Sequence, residues 1–104
     1  MEYEVLLTTQ AKMDFRRIIN YLLYELKSEQ AATNVVNDME NTLDRLSHIA
    51  GSLKFCEDSR LRALGYRTIH FRRHKYSMLY RIEGNRAYVD GIYHNLQDYE
   101  NILR

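Results

Sequence analysis

The first part of the chain carries two consecutive hydrophobic patterns, one typical of a strand and one typical of a helix. Over residues 2–7 apolar and acidic residues alternate, which predicts a short half-buried β-strand. Thr8 can cap a helix that runs to about Lys27, because the apolar residues of this stretch recur at helical spacing. The members of this stripe are Ala11, Phe15, Ile18, Ile19, Leu22, Leu23 and Leu26.

A second helical stripe follows almost at once. Ser28 is a suitable N-cap, and Glu29 would lie favourably against the dipole of the first turn. The apolar positions are Ala32, Val35, Val36, Met39, Leu43, Leu46 and Ile49. Gly51 ends the pattern. Two amphipathic helices with so short a connection predict an antiparallel helical hairpin over about residues 8–50.

The second half of the chain has the patterns of strands. Residues 52–65 show no clear period and are interpreted as a connecting loop. Three alternating segments follow, at about residues 66–72, 76–82 and 86–94. Gly84 with Asn85 suits a tight turn between the last two strands. One face of the middle strand is predicted to hold Tyr76, Met78, Tyr80 and Ile82. In the last strand Ala87, Val89, Gly91 and Tyr93 are predicted to share one face. The opposite face is predicted to hold Arg86, Tyr88, Asp90 and His94.

These elements follow the order β-α-α-β-β-β, which predicts an α+β fold with a single domain over residues 1–104. The helical hairpin is expected to pack on one face of a small antiparallel sheet, because this arrangement buries both apolar stripes. The other face is expected to stay open and to carry cations such as His70, Arg72 and Arg81. Residues 95–104 are interpreted as a short C-terminal helix or tail, with Leu96, Tyr99 and Leu103 at helical spacing.

Composition narrows the compartment and the chemistry. Cys56 is the only cysteine, which excludes an intrachain disulfide and favours a reducing compartment. The first residues lack the basic region of a secretory signal, and no apolar run approaches the roughly 20 residues of a membrane span. We therefore expect a cytoplasmic protein without a membrane anchor. Metal-ligand spacings, phosphate-binding loops and nucleophile motifs are missing, so we predict no metal and no cofactor.

Charge is distributed unevenly along the chain. Residues 1–58 contain six Lys/Arg and ten Asp/Glu, a balance of −4, whereas residues 59–104 contain nine and four, a balance of +5. The densest cationic segment is residues 67–82, which contains no acid. Such asymmetry indicates an anionic or acidic partner, and the alternative is a solvated surface whose arginines pair with acids such as Asp90. The candidate binding residues are Arg67, His70, Arg72, Arg73, Lys75, Arg81 and His94.

A basic sheet face with interleaved aromatic residues also suits RNA. Metal-free RNA cleavage needs a proton acceptor, a cation for the developing phosphorane charge and a proton donor for the leaving oxygen. The residues available for these roles are His94, Arg81, Lys75 and Tyr93, with His70 as a further base. Cys56 is interpreted as a bystander thiol, because no partner residue is identifiable near it.

Three motifs resemble those of a known family. They are "LGYRTI" at residues 64–69, the Tyr-x-x-x-Tyr-Arg strand at residues 76–81 and the His-x-x-x-Asp ending at residues 94–98. Together with the order of elements they resemble the RelE/ParE superfamily, the toxins of bacterial type II toxin–antitoxin systems. The resemblance implies a toxin that is wrapped by the C-terminal segment of a cognate antitoxin and that arrests growth when the antitoxin is lost. It implies a toxin–antitoxin hetero-oligomer or a homodimer.

The superfamily contains two activities, and whether this chain is an enzyme depends on which applies. RelE-like ribosome-dependent mRNA endonucleases have a basic residue where this chain has Ser77, and a catalytic tyrosine near the position of Asn95. ParE-like toxins inhibit DNA gyrase without cleaving RNA, and the Leu-Tyr-Arg run at residues 79–81 fits that branch better. We therefore favour ParE-like gyrase inhibition over a metal-independent endoribonuclease. A non-toxic module that binds RNA or protein is the third hypothesis.

Overall fold

The four strands form one sheet, and the helices pack against it. The computed structural model of the protein describes residues 2–95. The strands are β1 (Glu4–Leu7), β2 (Tyr66–His70), β3 (Tyr76–Glu83) and β4 (Arg86–His94), and their order in the sheet is β1-β4-β3-β2. The helices are α1 (Thr9–Asn20), α2 (Glu29–Ile49) and α3 (Ser59–Ala63). The predicted α+β fold and the predicted order of its main elements are confirmed.

The sheet is mixed, whereas the sequence analysis described it as antiparallel. Strands β2, β3 and β4 pair antiparallel, but β1 pairs with β4 in parallel. A parallel pairing needs a long crossover connection, and the helical hairpin is part of that connection. The hairpin leads the chain away from β1 and back, so that the end of α2 lies beside the start of β1. The amide of Tyr3 donates a hydrogen bond of 2.7 Å to the carbonyl of Ser47 there.

Both predicted N-caps are confirmed. The amide of Ala11 donates to Oγ1 of Thr8 at 3.3 Å, and the amide of Ala31 donates to Oγ of Ser28 at 3.0 Å. After α1 the chain forms a π-helical segment at Tyr21–Glu25, and then it turns through Lys27, whose φ is 52°. A lysine in this left-handed conformation is unusual, because its Cβ crowds the backbone.

The main core lies between the helical hairpin and the sheet. Its central residues on the sheet are Met78, Tyr80, Ala87 and Val89, and all four are fully buried. The hydroxyl of Tyr80 donates a 2.6 Å hydrogen bond to the carbonyl of Ala50, and burial raises the pKa of Tyr80 to about 12. The predicted inward face of β3 is therefore confirmed.

The second face of the sheet is partly covered, and the prediction of an open face needs correction. Helix α3 lies within residues 52–65, which were interpreted as a loop, and Asp58 caps it through a 2.9 Å hydrogen bond from the amide of Leu61. A smaller buried cluster forms here from Cys56, Leu61, Tyr66, Leu79 and Tyr93. One helical turn is too short to produce a hydrophobic period, which explains why the pattern did not reveal it. Burial raises the pKa of Cys56, in keeping with an inert thiol.

A bulge in β4 reverses the predicted faces at the end of that strand. Leu79 pairs with Gly91 and Tyr80 pairs with Val89, so Asp90 is an extra residue without a cross-strand partner. As a result Tyr93 joins Leu79 in the smaller cluster, and His94 lies against Tyr76. The prediction that Ala87, Val89, Gly91 and Tyr93 share one face is therefore wrong beyond the bulge.

Two further sequence predictions concern the C-terminal end of the chain and membrane-spanning segments. The predicted C-terminal helix or tail, with Leu96, Tyr99 and Leu103, lies outside the described residues. Among residues 2–95, none of the helices has the length and apolar character needed to cross a membrane.

Candidate functional site

The most cationic surface is the turn between β2 and β3. We call residues 72–75 the cationic turn. The side chains of Arg72, Arg73 and Lys75 are exposed, and that of His74 is 28% exposed. Within residues 2–95, neither arginine forms an ion pair, and neither does Lys75. The part of the chain that the structure describes therefore leaves these cations open to a partner.

A buried carboxylate holds the backbone of this turn. Asp38 on α2 is only 2% exposed, and it accepts hydrogen bonds from the amides of Arg72 (3.3 Å) and Arg73 (2.9 Å) and from Nδ1 of His74 (2.7 Å). Burial raises the pKa of Asp38, but the hydrogen bonds from His74 and from the two amides outweigh burial and hold it below its ordinary value of 3.8. The carboxylate is therefore charged at neutral pH.

Sequence reasoning missed Asp38, although a signal was present. Asp38 follows Val35 by three residues and precedes Met39, both of which are buried members of the apolar stripe of α2. A charged residue on an apolar stripe is unusual, because a buried charge is unfavourable unless it is paired. The pattern therefore predicts that Asp38 is paired or hydrogen-bonded, but it does not identify the turn as its partner.

A further cation that the sequence analysis did not select lies below the turn. Nη2 of Arg45 donates a 2.7 Å hydrogen bond to the carbonyl of His70, which fixes the end of β2 to α2. Burial lowers the pKa of Arg45, and the positive charge of Arg72 lowers it further.

Ser77 forms the middle of a hydrogen-bond chain on the second face. It is fully buried, its Oγ lies 2.6 Å from Nδ1 of His70, and it donates to Oδ1 of Asn95. Because the hydroxyl has one proton and uses it for Asn95, His70 donates through Nδ1. A basic side chain at position 77 would be buried here. The chain thus uses the position for packing and hydrogen bonding.

Aromatic residues border the cationic turn. The ring centroid of Tyr76 lies 5.8 Å from that of Phe71 and 5.5 Å from that of His94, the latter edge-on. Burial raises the pKa of Tyr76, and an electrostatic interaction with Tyr21 of the π-helical segment raises it further. Tyr21 itself is 53% exposed. Sequence analysis had not assigned a binding role to either tyrosine.

Arg81 lies away from the cationic turn, and its guanidinium is bound by neighbouring carboxylates. Its Nε donates to Oδ2 of Asp90 at 2.8 Å, Nη1 pairs with Glu83, and the guanidinium stands 4.7 Å from the ring centroid of Tyr88. Burial lowers the pKa of Arg81, but the bonds to Glu83 and Asp90 raise it above its ordinary value. The hydroxyl of Tyr66 also donates to Oδ2 of Asp90, at 2.8 Å. The pairing of Arg81 with Asp90 is the structural alternative that the sequence had left open.

Arg67 is engaged as well. Its Nη1 donates a 3.1 Å hydrogen bond to the carbonyl of Ala50, and its guanidinium stacks 4.1 Å from the ring centroid of Phe55. Both contacts join β2 to the segment that follows α2. The cations that lie within the strands thus support the fold.

Of the residues considered for RNA cleavage, Arg81 lies apart from the others, which are at one end of β3 and β4. His94 pairs with Tyr76 in the sheet, and Arg81 lies five residues further along β3. At about 3.3 Å per residue this is a separation on the order of 16 Å. Tyr93 points to the second face and His94 to the other, and Lys75 belongs to the cationic turn. In residues 2–95, no three His, Cys, Asp or Glu side chains form a group that could hold a metal ion.

Clefts on the surface of residues 2–95 adjoin several of these residues. One of about 370 Å³ adjoins the cationic turn and is lined by Asn34, Asn37, Asp38, Asn41, Arg73 and His74. A second, of about 580 Å³, lies on the second face and includes Lys54, Phe55, His70 and Tyr93. The third is a groove of about 410 Å³ beside both helices of the hairpin. Its lining is Leu7, Lys12, Phe15, Arg16, Val36, Met39, Glu40 and Leu43.

Comparisons with known proteins agree with this architecture. Residues 5–99 match a family model described as the ParE toxin of the type II toxin–antitoxin system parDE. Among curated proteins none matches the chain. A solved structure of a chromosomal ParDE system from P. aeruginosa is 20% identical, with a TM-score of 0.73 over 89% of this chain and 96% of the other. The RelBE2 toxin–antitoxin complex from Mycobacterium tuberculosis is 22% identical, with a TM-score of 0.59 over 90% and 99%. At these identities the structural matches establish the fold.

Proposed function

Because the chain belongs to the ParE family of type II toxin–antitoxin toxins, we propose that it arrests bacterial growth by inhibiting DNA gyrase and that a cognate antitoxin neutralises it. Gyrase inhibition in this proposal is a binding event that needs no catalytic residue of the toxin. The proposed site of action is the cytoplasm, where gyrase and the nascent antitoxin are both present.

The observation that carries the proposal is the family match over residues 5–99. The geometry of the candidate residues supports it. A ribonuclease needs its cation, base and acid around one phosphate, and the loss of a general acid or base lowers the rate by about 10²–10⁴. In this chain Arg81 is on the order of 16 Å along the sheet from the position of His94. A function that depends on a surface is therefore better supported than one that depends on an assembled catalytic centre.

The antitoxin half of the proposal has a structural counterpart in the groove on the helical hairpin. Leu7, Phe15 and Met39 contribute apolar lining, and Lys12 and Arg16 add positive charge. An amphipathic segment with apolar anchors and acidic neighbours fits such a groove. Both structural matches come from toxin–antitoxin systems, which supports the same type of partner for this chain.

The test is induced expression in bacteria together with assays on purified protein. We expect growth arrest on expression of the chain alone and normal growth when the neighbouring antitoxin gene is co-expressed. The purified protein should inhibit DNA supercoiling by gyrase, and prior incubation with the antitoxin should restore supercoiling. Translating ribosomes serve as the parallel substrate. Codon-specific cleavage of mRNA with uninhibited gyrase would contradict the proposal and would favour a RelE-like endonuclease.

A further inference from the structure

The cationic turn joins β2 to β3, and Tyr76 begins β3 directly after it. Tyr21, which is half exposed on the π-helical segment of the hairpin, interacts electrostatically with Tyr76. The amide of Phe71 donates a 2.9 Å hydrogen bond to the carbonyl of Tyr76, which closes the turn. We call Tyr21, Tyr76, Arg72, Arg73 and Lys75 the turn surface.

Within residues 2–95, no ion pair cancels the positive charge of the turn surface. Asp38 is 2% exposed, and it bonds the amides of the turn and the ring of His74 rather than the arginine side chains. Arg45 adds a further cation at this end of the sheet, where its Nη2 donates to the carbonyl of His70 at the end of β2. A local field of one sign steers and holds a partner of the opposite sign.

The same contacts make the turn rigid before a partner arrives. Two consecutive amides and one imidazole are bound to Asp38 on the long helix α2, so the backbone of residues 72–74 is fixed from inside. Binding through a pre-ordered segment loses less conformational entropy than binding through a mobile loop. Such an arrangement suits recognition.

The observations favour a protein partner over a nucleic acid. The pI of the chain is about 7.9 and its net charge is +1, whereas nucleic-acid-binding domains usually have a pI above about 9. The ring of Tyr76 already contacts Phe71 and, edge-on, His94, so it is not a free platform for a nucleobase. Tyrosine and arginine are enriched at the centres of protein interfaces.

We infer that the turn surface is where this toxin binds an acidic surface of its protein target, and that neutralisation by the antitoxin uses the separate groove on the hairpin. The inference rests on the proposed function, which it deepens by naming the contact residues. The residues of the turn surface and those that line the groove have no member in common. Target binding and antitoxin binding are therefore separable by substitution.

The experiment compares two triple variants of equal charge. The test variant combines Arg72→Ala, Arg73→Ala and Lys75→Ala, and the control combines Lys54→Ala, Arg62→Ala and Arg86→Ala, which are exposed cations outside the turn surface. Binding to purified gyrase is measured with immobilised toxin at low and moderate salt, and binding to the antitoxin is measured in parallel. We expect the test variant to bind gyrase at least about 10-fold more weakly, and the control to stay within about 3-fold of the wild type. Both variants should bind the antitoxin as the wild type does.

Tyr21→Ala is the second variant, and it preserves the charge. It should weaken gyrase binding by about 5-fold or more while the thermal midpoint stays close to that of the wild type, because the side chain is half exposed. Equal gyrase binding by both triple variants and by Tyr21→Ala would overturn the inference and leave gyrase inhibition intact. Loss of antitoxin binding in the test variant would also overturn it.

Failure of the proposed function gives a different result. If the wild type neither binds nor inhibits gyrase, growth arrest becomes the readout. If the test triple variant no longer arrests growth but the control still does, the turn surface binds a protein target other than gyrase. If both variants still arrest growth, the inference about the turn surface is overturned. The protein assignment is checked with labelled double-stranded DNA and single-stranded RNA. The assignment of a protein partner would be overturned if the wild type binds the DNA or the RNA and only the test variant binds it more weakly.

Discussion

The cations of the cationic turn and those of strands β2 and β3 come from one stretch of 16 residues, but their surroundings differ. Arg81 bonds Asp90 and pairs with Glu83, and Arg67 bonds a carbonyl and stacks on Phe55. The side chains of Arg72, Arg73 and Lys75 extend from the turn without an ion pair in residues 2–95. Two adjacent regions of similar charge therefore differ in how their cations are paired within the described residues.

The two regions differ because the neighbouring carboxylate binds the side chain of a basic residue in the strand but the backbone of basic residues in the turn. In the strand, the carboxylate of Asp90 binds the guanidinium of Arg81 and neutralises it. At the turn, the carboxylate of Asp38 binds the backbone amides of Arg72 and Arg73 and the ring of His74. The backbone is held while the guanidinium groups remain available. A count of charges in the sequence does not distinguish these two situations.

The largest effect that tests this comparison is expected from Asp38→Ala. The substitution leaves two amides and one imidazole of the turn without their acceptor, and we expect the free energy of unfolding to fall by about 3 kcal/mol. Urea denaturation at pH 7 measures it. Asp44→Ala is the matched control on α2, because the side chain of Asp44 is 79% exposed, and it should change stability by less than about 0.5 kcal/mol. A loss below about 1 kcal/mol for Asp38→Ala would show that Asp38 does not hold the turn.

The next effect is expected from Arg81→Ala. Its ion pairs are partly exposed, since the side chain of Arg81 is 31% exposed, and we expect a loss of about 1 kcal/mol in the free energy of unfolding. Gyrase binding should stay within about 3-fold of the wild type, because this arginine lies outside the turn surface. An Arg81→Ala protein that is fully stable but does not bind gyrase would break the comparison.

Acid should reveal the charge of Asp38. Burial raises its pKa, but the hydrogen bonds outweigh burial and lower it below 3.8. A lowered pKa in the folded state stabilises the protein above pH 3.8, and this contribution is lost as the pH falls below 3.8 and through the folded-state value. Urea denaturation from about pH 5 to about pH 2 should therefore show a steeper loss of stability for the wild type than for Asp38→Asn. Parallel curves would contradict a charged, hydrogen-bonded Asp38.

The smallest effect on stability is expected from the turn itself. Arg72→Ala and Arg73→Ala should each change the free energy of unfolding by less than about 0.5 kcal/mol, because neither side chain has an ion pair to lose in residues 2–95. Thermal denaturation of these two variants, measured together with Arg81→Ala, ranks the three losses of stability. A loss above about 1 kcal/mol for either would show that the turn, like the strand, uses its cations for folding.

Local chemistry was sufficient for much of the fold. The two helices follow from apolar spacing, and Thr8 and Ser28 cap them through bonds to residues three positions away. The inward face of β3 follows from simple alternation. On the proposed target-binding surface, the sequence already indicated Arg72, Arg73 and Lys75, because a run of cations without an acid is visible without any contact information.

Tertiary structure decided the rest, because the interactions concerned join residues far apart in the chain. The parallel pairing of β1 with β4 joins residues about 80 positions apart, and Asp38 bonds residues 34 to 36 positions away. The extra residue at Asp90 becomes visible only when β3 is aligned with β4, and it reverses the faces of Tyr93 and His94. The sequence by itself thus determined the two long helices, the strands and the location of the charge, but not the short helix α3. Only packing decided which cations are bound internally and which remain available to a partner, since that depends on where a distant carboxylate lies.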